Sequence, residues 1–301
     1  LKPLIRTTIA DAWLDQLPGL REHLLSPDGP VKAADNSSHV LHPLFQVRQG
    51  NGESFEELWR KQQQAWQADV AQRDRHRTAE ALQRWDLTRP DDYASWFPKG
   101  LGLPTSPQDA GEFTIAPEGD AVLAGIYPAG IYSHGLSAKH PARLTSPDVT
   151  LDGDYDLWVR VIGEGGASVR YVVQNYPRSG TVYPVTNLSP RWRWQKYDMT
   201  YWNGDAIHLE LAAGPDAPLL VKNSPRSWFG VREAVLLPKG TPGPHEGRVF
   251  LDPVFAAAQD NPPGSPSELV DRYEAIEREQ KENLQAQART KDDLAQNASD
   301  R

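Results

Sequence analysis

The chain has 301 residues, with ten Trp, ten Tyr and seven Phe available for a core, and its formal net charge is −8 at pH 7. An acidic chain lacks the basic face that nucleic-acid binding requires, so we expect no nucleic-acid partner. No apolar run approaches the ~20 residues that span a bilayer, and the absence of Cys excludes disulfides, thiolate metal ligands and Cys nucleophiles. Because Leu1 is not an initiator Met and no signal peptide precedes it, we expect an excised piece or a processed product.

The first 91 residues have a helical pattern and are predicted to form an N-terminal flank. TTIADAWLDQLPGLREHLL suggests one amphipathic helix that is broken near Pro18. Ser54 and Glu57 then form an S-x-x-E capping box, and apolar residues at helical spacing follow it. We predict a helix over residues 54–85.

Residues 92–237 have a different pattern, in which Pro and Gly recur every few residues and short alternating runs lie between them. The turns GEGG (163–166) and WNGD (202–205) can supply the positive φ angles that tight turns need. This pattern predicts a mainly-β domain, an antiparallel sandwich. The nine predicted strands cover residues 113–115, 121–126, 143–151, 155–162, 168–174, 192–197, 206–211, 218–221 and 231–237.

The remainder of the chain is predicted to be a Pro/Gly-rich linker (238–264) and a C-terminal helix (265–301). Ser265 is the expected N-cap, Pro266 the first helical residue and Glu268 the capping-box glutamate. The apolar residues of this helix are too sparse for a solid packing face, so we expect it to be solvated or to pack on something outside this chain.

The stretch RWRWQKYDMTYWNGDAIHLEL (191–211) is unusually rich in aromatic residues. Two interpretations are open: an aromatic platform for a sugar ring, or side chains that anchor a β-sheet core. We favour the core or its rim for Trp192 and Trp194, and also for Trp202, and we expect Trp192 and Trp194 to be buried.

The connection of about eighteen residues within 171–192 is the better candidate for a ligand site, because loops of that length in compact domains are often functional. Its Tyr176, Arg178 and Tyr183 combine ring faces with a forked donor, as polyol or carboxylate recognition requires. Across the same end of a sandwich, Tyr132 and His134 could contribute. The alternative is that these residues only order an irregular loop.

An acidic run, LDGDYDLW (151–158), places Asp152, Asp154 and Asp156 at the alternate spacing of a calcium loop. Leu157 occupies the position where that loop needs Gly, and no bidentate Glu follows at the right distance. We therefore favour an acidic turn over a structural Ca²⁺ site and expect no cofactor. No catalytic motif or distinguished carboxylate pair is present, so nothing in the sequence supports an enzyme.

The segments SHGLSAKHPARLTSPDVTL, LWVRVIGEGGASVRYVVQNYPRSGTVYP and RWRWQKYDMTYWNGDAIHLEL resemble an insert in large planctomycete proteins that also carry c-type cytochrome segments. The resemblance covers roughly residues 92–237, and in outline the insert is similar to galactose-binding-like jelly-roll modules, which commonly bind carbohydrate. It implies a jelly-roll β-sandwich flanked by N- and C-terminal α-helices. The family supplies no catalytic residues, and the haem motif of those proteins is absent here.

Our leading hypothesis is a non-catalytic carbohydrate-binding module of an exported (periplasmic or cell-surface) multidomain protein. Its predicted ligand-binding residues are Tyr132, His134, Tyr176, Arg178 and Tyr183. The alternative is a structural or docking module without a small ligand, whose helices pack on neighbouring domains or a partner protein. An enzyme ranks third.

Overall fold

The computed structural model describes residues 41–49, 52–110, 112–115, 123–176, 180, 182–213, 226–245 and 247–299. The chain divides into two compact units. One, the sandwich unit, runs from His76 to Pro244, and the other, the helical unit, combines residues up to Arg75 with residues from His245 onward. Among the helices in these described ranges, none combines the length and apolarity needed to cross a membrane.

The two long helices begin at the capping signals that the sequence predicts. Ser54 and Glu57 exchange side-chain to backbone hydrogen bonds of 3.2 and 3.3 Å, as a capping box requires. Near the C-terminus, the Ser265 hydroxyl accepts a bond from the Glu268 backbone N–H at 3.2 Å. The helices that follow are α1 (His42–Gln49), α2 (Phe55–Thr78), α3 (Pro90–Ala94), α4 (Asp252–Ala256) and α5 (Pro266–Ser299).

An aromatic core holds the helical unit together. Phe255 is 1% exposed and stacks between Trp59 and Trp66, with ring centroids 4.9 and 5.5 Å away. Leu269 and Tyr273 from the first turns of α5 are buried in the same cluster. The expectation that α5 has no packing partner within the chain is therefore wrong for its first turns, because apolar residues from both ends of the chain meet there.

A partly buried ion-pair network joins sequence-distant segments of the helical unit. The Arg73 guanidinium donates to both oxygens of Asp252 at 2.6 and 2.9 Å, and its Nε donates to Asp69 at 3.0 Å. His245 Nε2 lies 2.7 Å from the other Asp69 oxygen. Bidentate Arg–carboxylate pairs fix geometry as well as adding energy, so these contacts specify how α2 meets the segment after residue 244.

Two antiparallel sheets form the sandwich unit. The first contains, in spatial order, β1 (Gln83–Asp86), β13 (Trp228–Pro238), β8 (Tyr155–Glu164) and β11 (Arg193–Asp198), with β5 (Ile131–Tyr132) also paired to β13. The second contains β10 (Val185–Asn187), β9 (Ser168–Val173), β12 (Ala206–Ala213), β6 (Ala142–Thr145) and β2 (Phe97–Lys99), with β7 (Val149–Thr150) also paired to β12. A separate hairpin pairs β3 (Glu112–Ile115) with β4 (Leu123–Tyr127).

The core lies between the two sheets and confirms the predicted jelly-roll β-sandwich. From β8 to β13 the chain crosses repeatedly from one sheet to the other, and sheet neighbours are mostly not sequence neighbours. Inward-facing residues of the two sheets share one buried cluster, which includes Leu157 and Val159 of β8, Val169 of β9 and Leu209 of β12. Tyr197 joins this core from β11, and burial raises its pKa to about 12.

The predicted turns also supply the expected backbone angles. Gly165 and Gly166 in GEGG have φ of +66° and +85°, and Gly204 in WNGD has φ of +93°. At Gly165 a Cβ atom would lie 1.8 Å from the Arg226 carbonyl oxygen, so only glycine fits that turn.

Other predicted boundaries differ from the structure. The helix predicted over 54–85 ends at Thr78, and residues 83–86 instead form β1, which places Trp85 in the sandwich core. The stabilisation gained by burying Trp85 between the two sheets is larger than the local preference of this segment for a helix. The predicted strand at 218–221 and the predicted helix before residue 41 lie outside the described residues.

We predict that Leu209→Ala destabilises the sandwich unit by about 2–5 kcal/mol, because Leu209 is 1% exposed and its removal leaves a cavity between the sheets. Leu136, which is 80% exposed, provides a control with the same side chain. Leu136→Ala should change stability by no more than about 0.5 kcal/mol. Urea denaturation of both variants checks this, and equal losses would contradict the assignment of the core.

Candidate functional site

The chain reverses sharply where β9 ends, and this reversal begins the long loop that the sequence singles out. Gln174 and Asn175 have φ of +49° and +60°, a left-handed conformation that is uncommon for residues other than glycine. The Tyr176 N–H donates to the Val173 carbonyl at 2.9 Å and closes a two-residue turn. A second closure joins Gly180 and Tyr183, whose backbones exchange bonds of 3.2 and 3.1 Å.

Two successive hydrogen bonds connect the loop after β9 to the sandwich core. Trp202, in a 3₁₀ turn over Thr200–Trp202, donates from Nε1 to the Tyr171 hydroxyl at 3.2 Å. That hydroxyl donates to the Val182 carbonyl at 2.8 Å, and burial raises the Tyr171 pKa. Because Tyr171 is fixed in the sandwich core, it anchors the loop rigidly at Val182.

These contacts form a small open cleft, here called the aromatic cleft. It has a volume of about 180 Å³, and its walls include two tyrosines and one tryptophan. The Tyr183 and Trp202 ring centroids are 5.2 Å apart with planes inclined by 39°, and Tyr176 is 61% exposed at the edge. The lining residues are Val173, Gln174, Tyr176, Tyr183, Trp202 and Asp205.

The polar part of the aromatic cleft is an amide beside a carboxylate. Gln174 Nε2 donates to Asp205 Oδ1, and the Asp205 backbone N–H donates to the Trp202 carbonyl at 2.9 Å. Amide and carboxylate groups offer donors and acceptors to hydroxyl groups, while the rings offer apolar planes. Asp205 is the one carboxylate among the described lining residues, whereas glycoside hydrolysis uses a pair.

Two of the five predicted ligand-binding residues come together here. Tyr176 and Tyr183 line the aromatic cleft, and Arg178 lies outside the described residues. Tyr132 and His134 do not contribute to it, which corrects the expectation that they share one end of the sandwich. They are 0% and 8% exposed because both pack in a separate aromatic cluster with Tyr127 and Trp228.

In that second cluster, the rings pack on one another rather than face a ligand. His134 stacks on Trp228 at 4.2 Å between ring centroids, and the Tyr132 hydroxyl donates to the Pro128 carbonyl at 2.6 Å. Tyr127 lies edge-on to His134 at 5.0 Å. Strand β5 pairs with β13, and this pairing turns Tyr132 inward. Because β5 has only two residues, its sequence gives no sign of this long-range pairing.

The tryptophans of the 191–202 stretch separate into different environments. Trp202 is 8% exposed and belongs to the core while it also lines the cleft, in agreement with the core-or-rim interpretation. Trp192 and Trp194 are only half-buried, and Trp194 lies on the face of β11 opposite to Tyr197, with the Arg160 guanidinium 5.9 Å from its ring. The expectation that these two tryptophans are buried is therefore wrong, because the pleat of β11 turns Tyr197 inward instead, while Trp192 packs at the rim of the cluster around Tyr132.

The three aspartates of the acidic run do not converge. Asp156 is buried and ion-paired to Lys196 at 2.8 Å and to Lys239 at 3.5 Å, and Asp152 accepts a bond from the Tyr155 hydroxyl at 2.6 Å. Within the part of the chain that the structure describes, no group of three or more acidic or His side chains could hold a metal ion. The acidic-turn interpretation stays a prediction.

Comparisons with known proteins give only distant likenesses. No protein-family model and no curated protein matches the chain. Among solved structures it is similar to TmCBM61 in complex with β-1,4-galactotriose, at 15% identity over 49% of this chain and 90% of that chain, with a TM-score of 0.31. It is also similar to the K1 cleaved adhesin domain of Lys-gingipain from Porphyromonas gingivalis W83, at 13% identity over 52% and 98%, with a TM-score of 0.31.

A further similar structure is a family 29 carbohydrate-binding module, at 9% identity over 52% of this chain and 89% of that chain, with a TM-score of 0.30. These scores are too low to support an argument about function.

We predict that adding EDTA leaves the melting temperature unchanged, because Asp152 and Asp156 already have protein partners. A ligand that binds only the folded state raises apparent stability, so loss of a bound ion would lower the melting temperature. A drop of several degrees that Ca²⁺ reverses, and that Asp154→Ala abolishes, would instead establish a calcium site.

We also predict that Tyr171→Phe destabilises the sandwich unit by about 1–3 kcal/mol, because it leaves the Trp202 N–H and the Val182 carbonyl without their partner. Tyr155→Phe is the matched control, since the Tyr155 hydroxyl bonds to Asp152 at the surface. Its effect should stay within about 0.5 kcal/mol. Urea denaturation followed by tryptophan fluorescence measures both, and an unchanged midpoint for Tyr171→Phe would show that the hydroxyl does not anchor the loop.

Proposed function

We propose that this protein is a non-catalytic carbohydrate-binding module that takes its ligand in the aromatic cleft. The observation that carries the proposal is the exposure of Tyr176 (61%) beside a floor formed by Trp202 and Tyr183. Sugar rings present C–H faces that pack on aromatic planes and hydroxyl groups that need hydrogen-bond partners. The aromatic cleft offers both kinds of contact within one small concave surface.

The affinity in this proposal is shared between stacking and hydrogen bonds. Tyr176 and Tyr183 supply ring faces, and Gln174 and Asp205 supply an amide and a carboxylate. Arg178, from the same loop, is proposed as a forked donor to ligand oxygens; charge-assisted hydrogen bonds are about twice as strong as neutral ones. Pockets for drug-sized ligands occupy ~300–1,000 Å³, so a cleft of about 180 Å³ suits one sugar ring better than a bulky ligand.

The competing hypothesis is a structural or docking module with no small ligand. In that case the loop would be covered by the protein's own elements and its rings would be buried. The exposure of Tyr176 favours the carbohydrate hypothesis. One feature of the helical unit supports the docking hypothesis: its helix α5 is long and extends to Ser299.

The wider setting that we propose rests on the sequence resemblance. The likeness to planctomycete inserts suggests an exported, multidomain parent protein, with neighbouring domains as further partners. A single carboxylate among the described lining residues supports binding rather than hydrolysis. We propose that binding needs no metal or cofactor.

A glycan array and a pull-down on insoluble polysaccharides test the proposal. Tyr176→Ala should weaken binding of the best glycan by about threefold to tenfold, because one aromatic contact is worth roughly 0.5–1.5 kcal/mol. Arg178→Ala should weaken it by about tenfold or more, because a hydrogen bond to a charged group is worth roughly 1.5–3 kcal/mol. Phe97→Ala is the matched control: Phe97 is 62% exposed on β2 and does not line the cleft.

The control variant should bind glycans like the original protein, and all three variants should keep their melting temperature. Loss of binding with an unchanged melting temperature would support the aromatic cleft as the site. If the folded protein binds no glycan and no polysaccharide, the carbohydrate hypothesis is contradicted and the docking hypothesis is favoured.

A further inference from the structure

An exposed tyrosine stands directly beside the aromatic cleft without lining it. Tyr201 is 75% exposed, more than any other aromatic residue among the large exposed apolar side chains of the described chain. Its ring lies edge-on to Trp202, with centroids 4.7 Å apart and planes inclined by 88°. Tyr201 therefore continues the aromatic surface outward from the floor of the cleft.

The turn that carries Tyr201 is rigidly held. The Thr200 backbone N–H and hydroxyl both donate to Asp198 Oδ1, at 3.1 and 2.7 Å, and Lys239 binds the other oxygen of the same carboxylate. The Lys239 ammonium holds the pKa of Asp198 well below its usual range. On the inner side of the turn, Met199 is 0% exposed and its N–H donates to the Tyr155 carbonyl at 2.9 Å.

A large apolar side chain that is exposed on a fixed turn is suited to binding, because little backbone freedom is lost when a ligand packs on it. In a surface turn with no ligand role, polar side chains satisfy the backbone equally well and expose less apolar area. Tyr201 thus has the properties of a second contact surface next to the first.

We infer that the site binds two successive sugar units of a single free polysaccharide chain, one in the aromatic cleft and the next on Tyr201. This inference rests on the proposed function and specifies its ligand. Because Tyr201 contacts Trp202, a lining residue of the aromatic cleft, a sugar unit linked to one bound in the cleft can reach the Tyr201 ring. Tyr201 is then a specificity-determining residue for ligand length.

The ring orientations also indicate the physical state of the ligand. The flat face of a crystalline polysaccharide needs exposed rings that share one plane. Relative to the buried Trp202, Tyr201 is inclined by 88° and Tyr183 by only 39°, so the Tyr201 and Tyr183 rings cannot share one plane. A single polysaccharide chain can twist so that successive units pack on rings of different orientation. The flat face of a crystal cannot contact both rings.

Titration with oligosaccharides of defined length tests this inference. The ligands are β-1,4-linked gluco-, galacto-, manno- and xylo-oligosaccharides of one, two and four units, followed by calorimetry or, for weak binding, by ligand-observed NMR. For the series that binds, affinity should rise about threefold to tenfold from one unit to two. Tyr201→Ala should remove that rise and leave single-unit affinity unchanged.

Two further variants separate stacking from other effects of the substitution. Tyr201→Phe retains the ring and should keep most of the rise with length, whereas Phe97→Ala, at an exposed aromatic outside the cleft, should keep all of it. Soluble polymer should compete for binding more effectively than an equal mass of the same polymer in crystalline form.

The possible outcomes distinguish the two levels of the hypothesis. If the original protein binds no oligosaccharide of any series, the proposed function itself fails. If it binds one, two and four units equally and Tyr201→Ala changes nothing, carbohydrate binding stands and the second contact surface is overturned. Preference for the crystalline polymer would overturn the assignment to single free chains.

Discussion

The two-residue alternation of β9 is the constraint on which both the fold and the cleft depend. It turns Val169, Tyr171 and Val173 into the space between the sheets, where apolar burial stabilises the sandwich. The same alternation fixes the Tyr171 hydroxyl beneath Trp202 and beside the Val182 carbonyl. The inward-facing residues of one strand therefore stabilise the core and also position residues that line the aromatic cleft.

The sequence predicts the long strands because they contain enough alternating residues to show a period of two. Strands β8, β9, β12 and β13 all coincide with predicted runs, and the capping box at Ser54 marks a helix start correctly. The two- and three-residue strands β2, β5 and β10 are too short to carry such a period. They form because longer strands beside them present unpaired backbone groups, which is a tertiary effect.

The site is predictable to a similar degree and for related reasons. Loop length and composition single out Tyr176 and Tyr183, but neither shows that Tyr132 and His134 are buried, since burial depends on packing from distant segments. Gln174 and Asp205 give no local signal either. The turn before Tyr176 has no glycine, so its two left-handed residues cannot be inferred from composition.

The division into units assigns the two functional hypotheses to different parts of the chain. Every lining residue of the aromatic cleft falls between Val173 and Asp205, inside the sandwich unit. The helical unit is drawn from both flanks of that unit in sequence, and Arg73 and Asp252 join the two segments. A role in docking for the helical unit is therefore compatible with carbohydrate binding by the sandwich unit. A docking role alone does not explain why Tyr176 and Tyr201 are both exposed next to Trp202. Carbohydrate binding by the sandwich unit accounts for that exposure.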